Sequence, residues 1–276
     1  MNNKMSKYVG ESGTEPYDAS LVEQFHESTK FMPSTALARD QRISNYLFSD
    51  ECIKEASLNF KSYHTFPKIK LPQPRAVEAS FDAIINQRES CREFSGEPLS
   101  LLDVSSMLNY LAINRVVQPL ADDNTVNLNL RKYPSPGGLY SIEVYLIASN
   151  VAGLDAGIYH YGVKDQSLCT LAAMPPSAQI ARALGDHDAS FVDQTGMVIL
   201  LTGVLPRLTV KYENQGYRFA LIESGIVGLQ LNLAAEGLGL GCLLWGGAYD
   251  DLVHDLIGVD GVEEVLLNVM WLGNKA

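Results

Sequence analysis

YPSPGGLYSIEVYL, residues 133–146, decides how the rest of the chain is read. It opens with Pro134–Ser135–Pro136–Gly137–Gly138 and runs directly into an apolar strand pattern ending EVYLIAS. Prolines stop a helix. Glycines free the backbone and let it approach a flat ligand closely. Taken alone, the segment reads equally as an ordinary turn before a strand.

Further strands are expected downstream at GIYHYG (157–162), SLCTLA (167–172), MVILLTGV (197–204), CLLW (242–245) and LLNVMWL (266–272). Between them, GYRFALIESGIVGLQLNLAAEGLGLG lacks a continuous polar face, which predicts a helix buried on most sides. Its end at Gly237–Gly239 suits a glycine C-cap. Another helix is expected around DDLVHDLIG (250–258). Upstream, Val77–Ile85 has helical spacing. Ser100 and Asp103 have the spacing of a capping box before a further helix. Residues 121–130 read as a loop or short hairpin. Helices and strands alternate irregularly, so the expected class is α+β with a mixed sheet. Prolines 67, 72 and 74 place a boundary between an N-terminal arm, residues 1–75, and a main domain, residues 76–276.

The chain has 276 residues, 46% of them hydrophobic, with a formal net charge of −11. A large core is affordable at that length. The acidic balance argues against nucleic acid, whose phosphates are met by clustered Lys and Arg. Cys52, Cys91, Cys169 and Cys242 show no metal or CxxC spacing and read as free thiols of a reducing cytoplasm. No apolar run follows Lys4 and Lys7, so no secretory signal is expected. The longest uncharged run, residues 166–181, is broken by Pro175–Pro176, so no membrane span is expected. The five histidines lack ligand spacing, and no metal is expected even at His187 in GDHD.

Four segments could carry chemistry. Arg88–Glu89–Ser90–Cys91–Arg92 sets two guanidinium groups around a hydroxyl, a fit for a phosphate dianion. The alternative is surface charges paired with Glu89, Glu93 or Glu97. Ser135, Gly137 and Gly138 form the glycine turn described above. Trp245–Gly246–Gly247 follows an apolar strand and could offer backbone N–H groups to a cofactor ring, or be a plain turn. Lys211–Tyr212 could do acid/base work. On a strand the two side chains would diverge; only a loop or helix lets them converge.

In this order the segments resemble the nitroreductase superfamily. RESCREF (88–94) is similar to its first flavin motif. YPSPGGLYSIEVYL followed by GIYHY resembles the SagB-type and microcin-type azole-forming dehydrogenases. FHESTKF (25–31) resembles their N-terminal arm, and KYENQGYRFALIESG (211–225) the segment holding their catalytic Lys-Tyr pair. The resemblance implies a homodimer with FMN at the subunit interface. Arg88, Ser90 and Arg92 would hold the phosphate and polar edge of the flavin. Ser135, Gly137 and Gly138 would meet the ring from the partner subunit, with Gly246 and Gly247 near the reactive nitrogen. Lys211 and Tyr212 would be catalytic, with ionised Tyr212 the first choice of base and the roles exchangeable. Glu89 stands where many relatives have a second Arg, and only Lys275 remains of a C-terminal basic pair. The implied activity is oxidation of peptide thiazolines and oxazolines to azoles during maturation of a ribosomally made peptide. The implied partners are a cyclodehydratase and a leader-peptide-binding subunit, which the N-terminal arm could dock. Two other readings stand beside it: an NAD(P)H-dependent FMN nitroreductase, and a subunit that is chiefly a scaffold.

Overall fold

Apolar, β-branched runs with no polar alternation form strands buried on both faces, and the centre of this protein is built from them. The computed structural model describes residues 20–120, 123, 125–187 and 189–276. The expectation about a secretory signal concerns residues outside this set, as does Asp188 of the GDHD segment.

The chain begins with helices α1 (Ser20–Ser28), α2 (Ala36–Leu47) and α3 (Asp50–Ser57), then strand β1 (Lys68–Lys70) and α4 (Phe81–Gln87). Strand β2 (Leu99–Ser100) leads into α5 (Leu101–Leu108), the hairpin β3 (Ile113–Val117) and β4 (Leu128–Arg131), then β5 (Ile142–Ala148) and β6 (Val151–Ala152). Strands β7 (Gly157–Gly162) and β8 (Ser167–Ala173) precede α6 (Ser177–Ala183), α7 (Ser190–Gln194) and β9 (Met197–Val204). Helices α8 (Pro206–Tyr212) and α9 (Gln215–Gly237) follow, then β10 (Leu240–Trp245), α10 (Asp250–Ile257) and β11 (Glu264–Asn274).

Seven strands form one sheet in the order β1-β8-β7-β5-β9-β11-β10. Every pairing in it is antiparallel. Parallel pairing among the described residues is confined to the short β2–β6 ladder. The α+β class therefore holds, with the two ladder directions in separate sheets. Alternation sends Val144, Leu146, Ile199, Leu201, Met270 and Leu272 to one face, where Val227, Leu231 and Ala235 of α9 cover them. Tyr145, Ile147, Val198, Leu200 and Trp271 point to the other face, under Ile180, Val192 and Val253 of α6, α7 and α10.

Two local expectations are corrected. Helix α4 starts at Phe81, four residues later than the periodicity suggests, because Ser80 caps it by accepting from the Ala83 N–H at 3.2 Å. Ser100 does cap α5, accepting from Leu102 N–H. Asp103 does not complete the box; it pairs with Arg75 at 2.6 Å. Helix α2 contacts α8, and Tyr46 and Ala56 pack against Leu139, Leu208, Tyr212 and Phe219. Residues 20–57 thus lie against the elements that carry Lys211 and Tyr212, while β1 supplies the edge of the main sheet.

Candidate active site

Helix α8 begins on Pro206, which suits a first helical turn, and ends at Tyr212, where Glu213 turns left-handed at φ +49°. Lys211 and Tyr212 therefore sit in its last turn, and both side-chain tips reach the glycine turn. Gly137 has φ +65°, and a β-carbon there would lie 2.6 Å from the Tyr212 hydroxyl and 3.0 Å from Lys211 Nζ. Two segments picked out separately in the sequence meet at one point.

Lys211 is 5% exposed and has no carboxylate partner among the described residues. Its ammonium faces the rings of Tyr46 and Tyr212, each centred 5.2 Å away. Burial holds its pKa below the ordinary lysine value. Burial also raises the Tyr212 hydroxyl, with Arg39 opposing weakly. Both groups are pushed toward their neutral forms. Tyr212 stands edge-on to Phe219 at 4.8 Å. It also lines a cavity of about 470 Å³ shared with Thr29, Phe31, Arg39 and Arg42. The Arg42–Glu213 ion pair ties α2 to the end of α8.

A buried polar frame holds these parts in register. Arg207, at the start of α8, donates to the Tyr140 carbonyl at 2.9 Å and forms an ion pair with Glu143 of β5 at 2.6 Å. Glu143 also meets His160 of β7 at 2.7 Å. Burial alone would raise the Glu143 carboxyl; Arg207 and His160 reverse that and hold it well below the usual range. Ser135 accepts from the Tyr140 N–H at 2.8 Å, and Ser141 donates to Glu223 at 2.7 Å. The Ser135 hydroxyl is thus engaged in bracing its own loop.

The other candidate segments lie along β10. Arg88 caps the end of α4, and Arg92 donates to the Ser90 carbonyl at 3.3 Å. Neither arginine pairs with a carboxylate among the described residues, so the expected surface pairing with Glu89, Glu93 or Glu97 does not form. Cys91 N–H donates to Cys242 O at 3.1 Å and fastens this segment to β10. Trp245 lies three residues further along, roughly 10 Å away at strand rise. Gly246 lines a cavity of about 400 Å³ with Leu244, Leu266 and Asn268, and a β-carbon on it would meet nothing within 4 Å. Gly247 is packed on the Trp245 indole, where a β-carbon would sit 2.9 Å away. Lys275 is spent on Glu236, reaching both carboxylate oxygens at 2.9 Å.

Within one chain Gly246 and Tyr212 open on different cavities. Sequence reading missed Arg207, Glu143 and His160. The available signal was a charge or imidazole inside an apolar strand, IEVYLIA and GIYHYG, where a buried polar group demands a partner. No cluster of three or more His, Cys, Asp or Glu able to hold a metal occurs among the described residues. No helix among them is long and apolar enough to cross a membrane.

Residues 85–273 match the nitroreductase family. The chain is 25% identical over 207 residues to MJ1384 of Methanocaldococcus jannaschii, described as a nitroreductase, covering 75% of this chain and 97% of that one. It is 30% identical over 148 residues to McbC, a microcin B17-processing protein of Escherichia coli, but spans only 54% of that relative's length and 52% of its own. The E. coli microcin synthetase McbBCD, solved with truncated pro-MccB17 bound, contains a chain of the same fold: TM-score 0.57, 23% identity, covering 93% of this chain and 92% of that one. The family match covers more than half of the 276 residues, and the chain belongs to the nitroreductase family.

Proposed function

We propose that this protein is an FMN-dependent dehydrogenase that oxidises thiazoline and oxazoline rings in a peptide to thiazoles and oxazoles. The observation that carries the reading is the convergence of Lys211 and Tyr212 on the glycine turn at Gly137. The likeness to McbC, named for processing a microcin, supports it.

The residues present fit a flavin mononucleotide. Arg88 and Arg92 are two guanidinium groups without carboxylate partners among the described residues, as a phosphate dianion requires in an acidic protein. Gly246, just past the end of β10, leaves open space above its Cα. Ser90, Ser135, Gly138 and Gly247 complete the proposed contacts, with Ser135 and Gly247 acting through the backbone they shape. When bound, FMN would supply the hydride acceptor that the reaction needs.

The chain's own residues handle the proton. Aromatisation removes one ring hydrogen as hydride and the neighbouring acidic hydrogen as a proton. Lys211 as a neutral amine accepts that proton at Nζ. Tyr212 stays protonated and donates a hydrogen bond from its hydroxyl. This exchanges the roles favoured on the sequence, because burial moves both groups toward neutrality. Tyr46 of the arm packs by Lys211 and helps keep its amine buried.

A second copy of the chain completes the site, bringing its glycine turn and Lys-Tyr pair to the first copy's flavin cradle. The opening of Gly246 and Tyr212 on different cavities of one chain supports this. So does the apolar row Tyr217, Leu221, Ile222 and Leu229, which α9 leaves exposed. Azolines form by cyclodehydration, so the natural partners are a cyclodehydratase and a leader-peptide-binding subunit, with residues 1–75 a docking surface and the cytoplasm the site of action. The full-length match to MJ1384 favours a second reading, a reductase passing electrons from NAD(P)H to small electrophiles.

The test is direct. Purified protein should be yellow and release FMN, identified by chromatography, on denaturation. Colourless protein that takes up no FMN would refute the flavin reading.

A further inference from the structure

Beside the buried Glu143–His160 pair, the β8–β7 end of the main sheet lines a cavity of about 360 Å³. Phe60, Arg131, His160, Tyr161 and Lys164 line it, and it shares no lining residue with the cavities at Tyr212 or Gly246. The volume is that of a site for a small molecule.

Its charges do not cancel. Asp165 is paired with Lys68 at 2.8 Å. Glu143 is engaged by Arg207 on one oxygen and His160 on the other. Lys61 is paired with Glu264. Two cations remain. Lys164 stands exposed at the mouth, with no ion pair among the described residues. Arg131 is only 6% exposed, and its guanidinium donates from Nη1 to two neutral acceptors, the Tyr133 hydroxyl at 3.0 Å and the Ile142 carbonyl at 3.3 Å. Its Nε is buried without a partner. Glu143 and Glu223 are within electrostatic reach of Arg131 but neither contacts it, and burial pushes the Glu223 carboxyl toward its neutral form.

A buried guanidinium without a carboxylate is costly to keep, and a guanidinium fork is shaped to receive a carboxylate through two parallel hydrogen bonds. Both cations lie near the Phe60 ring: Arg131 Cζ and Lys164 Nζ are each 5.7 Å from its centroid. Aromatic faces at Tyr161 and Tyr63 continue the lining. We propose that this cavity is a binding site for a small carboxylate with a flat apolar body, its anion held by Arg131 and Lys164 and its body resting on Phe60. The same chemistry could come from a free organic acid or from the carboxyl terminus of a peptide.

Calorimetric titration of the protein as isolated tests this with benzoate as the free acid, N-benzoylglycine as the peptide-terminal carboxylate, and benzamide as the uncharged isostere. A carboxylate should bind saturably, weaken with added salt, and lose roughly ten-fold affinity in Lys164→Ala, with Lys164→Arg restoring it. Lys164 is exposed, so its replacement leaves folding intact; Phe60→Leu gives an independent loss. Tighter binding of N-benzoylglycine identifies a peptide terminus, and tighter binding of benzoate a free acid; either supports the site. Benzamide binding as well as benzoate, affinity unchanged in Lys164→Ala, or no binding up to about 10 mM would each overturn it. These heats do not depend on azole formation, so failure here leaves the flavin reading untouched, and the reverse holds too.

Discussion

The α-carbon of Gly137 faces the Tyr212 hydroxyl so closely that a methyl group on it would stand 2.6 Å from that oxygen. The backbone there is left-handed at φ +65°, which costs an alanine about 1–2 kcal/mol. Gly137→Ala should therefore lower thermal stability slightly and displace both Tyr212 and Lys211. A misplacement of this kind costs on the order of 100-fold in turnover. Steady-state rates beside thermal melts would check it; a variant with wild-type turnover would show that the contact is not part of the catalytic arrangement.

Lys211 sets the expected pH dependence. Its pKa is lowered from 10.5 by burial, and the proposed base is the neutral amine. Azole formation should rise with pH and level off below the usual lysine range, and Tyr212→Phe should leave that midpoint largely in place. Stability carries the same sign: between the lowered pKa and 10.5 the unfolded chain binds more protons, so stability grows with pH across that window. Lys211→Met should melt no lower than wild type at pH 7 while losing activity. A lower melting temperature would mean that the ammonium has a stabilising partner.

Arg207 and Glu143 form a buried pair, and removing one charge strands the other. Glu143→Gln should cost about 3–5 kcal/mol, a fall of roughly 10 °C in melting temperature for a chain of this size. Because Glu143 also holds His160, the loss should grow less than additively when His160→Gln is combined with it. Denaturant melts of the two single variants and the double variant measure this coupling.

Arg88→Ala with Arg92→Ala should weaken FMN binding by roughly 100-fold or more, two charge-assisted contacts being lost. The melting temperature of the flavin-free protein should not change, since neither arginine has an ion pair to lose among the described residues. Fluorescence titration of FMN into both proteins reads the first effect and circular dichroism the second.

The strands from Ile142 onward and the long helix α9 are legible in the sequence because apolar runs and small residues leave few alternatives. The start of α4 is not, because Ser80 competes for its first turn. The candidate site is legible as separate segments: RESCREF, the glycine turn, Trp245–Gly246–Gly247 and Lys211–Tyr212. Their meeting is not, since Gly137 and Tyr212 are brought together by the sheet and by the buried Arg207–Glu143–His160 chain, whose members are far apart in sequence. Direction of the pKa shifts was also hidden. A lysine beside a tyrosine suggests a phenolate, but only packing under Tyr46 shows both groups pushed toward neutrality.

The measurement that bears most directly on the proposed function is mass spectrometry of a cyclised peptide treated with wild-type protein, Lys211→Ala or Tyr212→Phe. Wild type should convert azolines to azoles, a loss of two hydrogens per ring. Each variant should retain FMN yet leave the rings closed and unoxidised, with rates down about 100- to 10,000-fold. The two losses should not add, because the pair works as one unit. Full azole formation by the double variant would contradict the assignment. So would wild type that makes no azoles while wild type and variants alike reduce a nitroaromatic with NAD(P)H.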